Sequence, residues 1–154
     1  MKAEYINPFV VASSSVLEML LGQPPVKGDL AMQPSSFTSH QCNVVCGVTG
    51  QVQGQVIFGM TLTVAHQIAS AMLGQPVKIF DQLAASAIAE LGNMISGNAM
   101  LHLSEAGYVC DITPPTIVQG REVQISTLAI PAIVIPLETA QGKISVTVGL
   151  QAKK

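Results

Sequence analysis

Between residues 81 and 107 the sequence carries one uninterrupted helical pattern, and it limits what the rest of the chain can build. Asp81 or Gln82 opens the pattern, which runs to about Glu105, and Gly107 suits the left-handed position that ends a helix. At about 100° per residue, Ile88, Leu91, Ile95 and Ala99 fall on one side as an apolar stripe. A helix of this length, apolar along one side, needs a broad surface to lie against. The flanking sequence supplies strands for it.

Cys42, Val44, Cys46 and Val48 alternate with other residues, and residues 52–60 follow Thr49-Gly50-Gln51, so the two stretches predict a β-hairpin. Thr61 or Thr63 caps a helix through Val64, Ile68, Met72 and Leu73 to Gly74, and Gln75-Pro76 breaks the chain after it. Nearer the start, Asn7-Pro8 predicts the opening of a first helix through Phe9, Val10, Val16, Leu17, Leu20 and Leu21 to Gly22. Gln23-Pro24-Pro25 closes that helix, and a short strand with a polar loop follows through residue 36. Beyond the long helix, residues 108–113, 123–137 and 144–151 read as strands, the last two joined by a turn at Thr139-Ala140-Gln141-Gly142. The order α-β-β-β-α-α-β-β-β predicts an α+β fold: a mainly antiparallel sheet with one long helix and two further helices. No internal linker is visible, and a single domain over residues 1–154 is expected.

Composition narrows the functional classes. A chain of 154 residues buries roughly 70% of its unfolded surface on folding, so neither disulfides nor metal are required for stability. The formal net charge of −2 offers none of the basic field that phosphate-backbone binding needs, which argues against nucleic acid. Charged residues make up 10% of the chain, against roughly 25% in an ordinary soluble domain, while hydrophobic residues reach 49%. Part of the surface is therefore expected to be covered by another subunit. The apolar stretch at residues 128–137, interrupted by Pro131 and Pro136, is about half the length of a spanning helix and reads as a strand or sheet edge that seeks a partner. No membrane is implied, no secretory signal is apparent at the start, and the cytoplasm is the expected location. Cys42, Cys46 and Cys110 are an odd number, so reduced, buried thiols are expected.

The side of the long helix opposite its apolar stripe carries the chemistry. With Ser86 at zero, Glu90 falls near +40°, Asn93 near −20° and Gly97 near +20°, so a carboxylate, a carboxamide and two small residues share one strip that a partner can approach closely. Spacing alone also fits a plain solvated face. The longer string Ser86-x-x-x-Glu90-x-x-Asn93-Met94-Ile95-Ser96-Gly97-Asn98-Ala99 resembles the signature helix of the CheC/CheX/FliY chemotaxis phosphatases. The start Tyr5-Ile6-Asn7-Pro8-Phe9, with a helix ending Met19-Leu20-Leu21-Gly22, is similar to the opening of the CheX branch. CheC-type members typically carry Glu-x-x-Asn on two pseudosymmetric helices. Here the other match, Glu4 to Asn7, is expected to straddle a helix start, which favours CheX. The family pattern also places a proline after the Asn, and Pro114 and Pro115 sit slightly early for it.

The resemblance implies a phosphatase acting on the aspartyl-phosphate of a CheY-like response regulator. Asn93 would position the attacking water, since a carboxamide both donates and accepts hydrogen bonds. Glu90 would anchor the partner through the regulator's active-site lysine, and Ser86 and Gly97 would lie in the partner-binding strip. The resemblance also implies that Mg²⁺ belongs to the regulator's acidic pocket, that the chain has no cofactor of its own, and that it forms a homodimer. The competing readings are a non-catalytic docking module of the same fold and a structural subunit of a larger assembly.

Other signals lead elsewhere. His40-x-Cys42-x-x-x-Cys46 suggests zinc, but no fourth ligand is placed by sequence. His102 shares the side of Leu91 and Ile95 and is expected to be a buried, hydrogen-bonded imidazole; His66 carries no signal. Gly50, Gly54 and Gly59 lie within the hairpin, away from any strand-to-helix turn of the kind that cradles nucleotide phosphates.

Overall fold

The structure, a computed structural model, describes residues 2–34, 36–127 and 130–153. Three α-helices are formed: α1 (Ala3–Leu21), α2 (Leu62–Leu73) and α3 (Gln82–Glu105). The strands are β1 (Val26–Lys27), β2 (Ala31–Gln33), β3 (Ser36–Thr38), β4 (Cys42–Gly50), β5 (Val52–Met60), β6 (Cys110–Ile112), β7 (Thr116–Gln119), β8 (Gln124–Ser126), β9 (Ala132–Thr139) and β10 (Gly142–Ala152). Eight of them make one sheet in the order β1-β9-β10-β5-β4-β6, with β2 also on β9 and β7 also on β4, while β3 and β8 form a separate ribbon. Each of these pairings is antiparallel.

Two hairpins form the centre of the sheet. β4 pairs with β5 and β9 with β10, and a long β5–β10 ladder from Ser145↔Gly59 to Ala152↔Val52 joins them. The helices lie on one face, with α3 against α1, α2 and β4. Period-2 alternation sends Cys42, Val44, Cys46, Val56, Phe58 and Met60 into the core they share. From α3 come Ile88, Leu91, Ile95 and Ala99, the stripe anticipated from its periodicity, each no more than 1% exposed.

The helix ends follow from local chemistry. Asp81 caps α3, its Oδ1 accepting the Ala84 N–H at 2.9 Å, and Thr61 caps α2, its Oγ1 accepting the Val64 N–H at 3.2 Å. At the far end of α3 the Tyr108 N–H bonds the Leu103 carbonyl and the Gly107 N–H that of Ser104, a Schellman closure that needs the left-handed φ of 98° glycine supplies.

Several expectations change. The first helix starts at Ala3 rather than at Asn7-Pro8, so Pro8 lies inside it. Tyr5 and Ile6 are buried with Phe9, and burying that extra turn outweighs the hydrogen bond that proline cannot donate. The region after α1 holds three short strands in place of one. The stretch at 123–137 divides into β8 and β9, with residues 128 and 129 outside the described residues, and β7 is an additional strand. β9 is no free edge, because β1 and β2 cover one side and β10 the other. His102 is a third exposed, with Nδ1 3.7 Å from the Glu105 carboxylate, because Leu103 takes the buried position of that last turn. Cys42 and Cys46 are buried as expected, but Cys110 is only half-buried, its sulfur accepting the Val52 N–H at 3.4 Å.

Candidate functional site

α3 holds its polar strip outward because the opposite stripe is fixed in the core. Ser86 and Glu90 are exposed, and Asn93 and Gly97 half-buried. Gly92, on the core side between Glu90 and Asn93, lets the helix approach the sheet closely, since a Cβ there would come within 2.6 Å of Val44 Cγ1 and 3.2 Å of Phe58. The same substitution at Gly97 would meet nothing within 4 Å, so the surface above it is open.

Opposite the strip stands the end of β6 and the turn after it. Ser86, Ala89, Glu90 and Asn93 on one side, and Ile112, Thr113, Pro114 and Pro115 on the other, line a groove of about 460 Å³. The two prolines thus face the Glu-x-x-Asn pair across open space, and their fixed φ makes that wall stiff. Thr113 ties the wall to the sheet: its Oγ1 accepts the Gly47 N–H at 2.8 Å, and its N–H donates to the Gly47 carbonyl at 2.9 Å. This contact needs glycine at 47, since a Cβ there would lie 2.9 Å from Thr113 Oγ1. Sequence reasoning singled out Ser86, Glu90, Asn93 and the prolines but not Thr113. Its partner is 66 residues away in sequence, and no local pattern marks the pairing.

Among the described lining residues Glu90 carries the only charge, and it is solvated. The groove therefore offers a carboxylate for a cation and a carboxamide with both donor and acceptor capacity, beside a rigid apolar wall. It contains no nucleophilic thiol. Burial pushes the Cys42 thiol up to about 11 and raises that of Cys46, with the Ser96 hydroxyl beside Cys46 partly offsetting the rise, so both are core groups.

The second Glu-x-x-Asn, Glu4 and Asn7, does not straddle a helix start but lies on the outer side of α1. Its carboxylate is already engaged: Glu4 accepts the Tyr108 hydroxyl and lies 3.8 Å from Lys2 Nζ. The three residues that suggest zinc are divided by the sheet. Cys42 and Cys46 face the helices, whereas His40 lines a cavity on the other face with Asn43, Ile57 and Gly59. Among the described residues no three His, Cys, Asp or Glu side chains come together, and no helix is long and apolar enough to cross a membrane. His66 stacks on Phe80 at 5.7 Å between ring centroids.

Comparison with known proteins shows the family to which the chain belongs. The chain is 33% identical over 131 residues, 84% of each protein, to the CheY-P phosphatase CheX of Thermotoga maritima. Its fold matches the crystal structure of chemotaxis protein CheX from Desulfovibrio desulfuricans with a TM-score of 0.85 and 30% identity, covering 97% of this chain and 99% of that one. It also matches CheX in the CheX–CheY–BeF3–Mg²⁺ complex from Borrelia burgdorferi with a TM-score of 0.82 and 30% identity, covering 96% and 97%. Since residues 42–138, more than half of the chain, also match the family described as chemotaxis phosphatase CheX, the chain belongs to that family.

Proposed function

We propose that this chain hydrolyses the aspartyl-phosphate of a CheY-like response regulator, with Asn93 positioning the water and Glu90 anchoring the partner. The observation that carries the reading is the placement of Glu90 and Asn93, one turn apart on a rigid helix, across an open groove from the Pro114-Pro115 wall. The partner's phosphoryl group enters that groove. Asn93 accepts a hydrogen bond from the water through its carbonyl and orients the phosphoryl oxygens through its amide N–H. The water oxygen attacks phosphorus in line with the aspartyl oxygen, the phosphorus–carboxylate bond breaks, and inorganic phosphate and a free aspartate result. Positioning does the work, so no covalent intermediate on this chain and no shifted acid or base is required.

Glu90 pairs with a cation on the regulator, the active-site lysine in this reading, and Mg²⁺ resides in the regulator's acidic pocket. The Borrelia complex of CheX with CheY, BeF3 and Mg²⁺ supports that assignment of partner and metal. Such a substrate places the chain in the cytoplasm. The reading includes a homodimer, supported by the low charge and by an apolar outer sheet edge, where Val26 and Met32 on β1 and β2 are 70% and 76% exposed. A monomeric mass at micromolar concentration would refute it.

The test is phosphate release from receiver domains phosphorylated by a small-molecule donor in Mg²⁺. Asn93→Ala should lower kcat by about 10²-fold or more while sparing binding, in the range that loss of a positioned polar group costs. Glu90→Ala should weaken binding and reduce its salt dependence. Unchanged turnover by Asn93→Ala would defeat the catalytic assignment and leave a docking module.

A further inference from the structure

The outward side of α3 is not polar throughout. Leu83 and Leu101 are 53% and 65% exposed, and their separation is five full helical turns, so they project at one azimuth. Ser86, Glu90, Met94 and Gly97 lie between them at steps of three or four residues, the spacing of one continuous helix face. One exposed leucine is ordinary. Here two of them flank the Glu90–Asn93 pair along the helix, their midpoint falling at position 92, while the groove itself lies nearer Leu83.

The energetics of docking require something of this kind. The single ion pair made by Glu90 supplies only part of the affinity, and Asn93 is reserved for the water. A standard interface covers about 800 Å² per partner, a patch roughly 32 Å across if circular. The two leucines are about 27 Å apart along the helix, so one such footprint centred on Glu90 and Asn93 reaches both. The amino-terminal anchor is also held ready. The Ser70 hydroxyl donates to the His66 carbonyl at 2.7 Å and accepts the Val77 N–H at 2.9 Å, while Phe80 stacks on His66. The loop so fixed presents Ile79, 74% exposed, in the same depression as Leu83. A preformed anchor forgoes the ordering cost of a mobile one.

We infer that Leu83 and Leu101 are apolar anchors that seat the receiver domain of the phosphorylated regulator along the whole of α3, with the chemistry held between them. This rests on reading Glu90 and Asn93 as the site where that partner is dephosphorylated. The partner must then present apolar side chains on both sides of its phosphorylated aspartate.

The experiment titrates the full chain against a panel of receiver domains loaded with BeF3 and Mg²⁺, and measures kcat and KM on the phosphorylated receivers. Leu83→Ser and Leu101→Ser should each raise Kd and KM about tenfold with kcat unchanged, and the double variant about a hundredfold, since sites this far apart add. Both leucines are exposed, so circular dichroism and Tm should stay at wild-type values. Kd within twofold of wild type for both variants overturns the inference, as does a lowered kcat at constant KM. A change in the mass of the chain with Kd unchanged also overturns it and assigns the leucines to a second copy of the chain. Failure to bind any loaded receiver overturns it as well. Asn93→Ala measured in parallel separates the two ideas: if it keeps full kcat the catalytic reading falls, while the effect of the leucines on Kd still decides the docking surface.

Discussion

Gly92 and Gly97 sit in one helix, five residues apart, and alanine at each should act with opposite sign on stability. Alanine in a helix interior is favoured over glycine by about 0.8–1.0 kcal/mol, a gain available at both positions. At Gly97 nothing opposes it, since the added Cβ meets no atom within 4 Å. Gly97→Ala should therefore stabilise the free chain by nearly the whole amount. At Gly92 the Cβ would stand 2.6 Å from Val44 Cγ1, when carbon atoms prefer about 3.5–4.0 Å. Val44 is fully buried and has no room to retreat, so either the sheet distorts or α3 lifts by about 1 Å. Overpacking of this kind costs about 1–3 kcal/mol, which offsets or exceeds the helix gain. Urea unfolding would give the two signs directly. By thermal melting, 1 kcal/mol corresponds to about 2–4 °C in a chain of this length. The two variants should also separate in activity. Lifting α3 by about 1 Å displaces Asn93 from the proline wall, and a misplacement of that size costs up to about 10²-fold in rate. Gly97→Ala leaves Asn93 in place and obstructs only the approach of the partner, so KM should rise at constant kcat. Equal stabilisation by both substitutions would refute the claim that Gly92 sets the depth at which α3 packs.

Two further outcomes are expected. Stability should fall above about pH 9: burial holds the Cys42 thiol at about 11, and the Glu4 carboxylate that accepts the Tyr108 hydroxyl holds it at about 12, against ordinary values of 9.0 and 10.0. In both cases the folded chain keeps a proton that the unfolded chain releases, so the stabilisation is complete below the ordinary value and is lost as pH rises toward the shifted one. Denaturant titrations at pH 8 and pH 10 check this, and a flat profile that persists in Cys42→Ala and wild type alike would contradict it. The Glu4/Asn7 pair should be catalytically silent. Glu4→Gln and Asn7→Ala should retain wild-type kcat, and a loss comparable to that of Asn93→Ala would mean that the chain carries two working sites.

What the sequence revealed depended on how local the determining interaction is. α3 was legible almost to the residue because its cap, its apolar stripe and its closing glycine all lie within the segment. The β4–β5 hairpin was legible for the same reason, its alternation and its turn being contiguous. β7 escaped notice because residues 116–119 are extended by pairing with Cys42–Val45, some seventy residues earlier, and follow two prolines that read as a break. The start of α1 was misplaced because Asn7-Pro8 is a good local start signal that loses to the burial of Tyr5 and Ile6, a tertiary effect. His102 shows the converse limit: its azimuth is that of the core stripe, but the buried position of the last turn goes to Leu103. In the groove, Glu90 and Asn93 were visible as a pair, whereas the wall facing them was marked only by its prolines, and its attachment through Thr113 and Gly47 was not.

In the proposed reading, the division of labour on α3 lets so exposed a site be accurate. A water-positioning side chain needs a fixed backbone more than an unusual environment, because its carboxamide is neutral and requires no burial to tune it. The backbone is fixed from behind: Leu91 and Ile95 are buried in the core, Gly92 lets the turn that carries Glu90 and Asn93 approach Val44 and Phe58, and the reciprocal Gly47–Thr113 hydrogen bonds fix the opposite wall to the same strand, β4. Both sides of the groove are thus tied to one strand, β4. In the proposed reaction this arrangement leaves the site open to a protein partner while the backbone that carries Asn93 is braced from behind. It also implies that the most damaging substitutions outside the pair lie behind it, at Gly92 and Gly47, where a single methyl group would alter the width of the groove from either side.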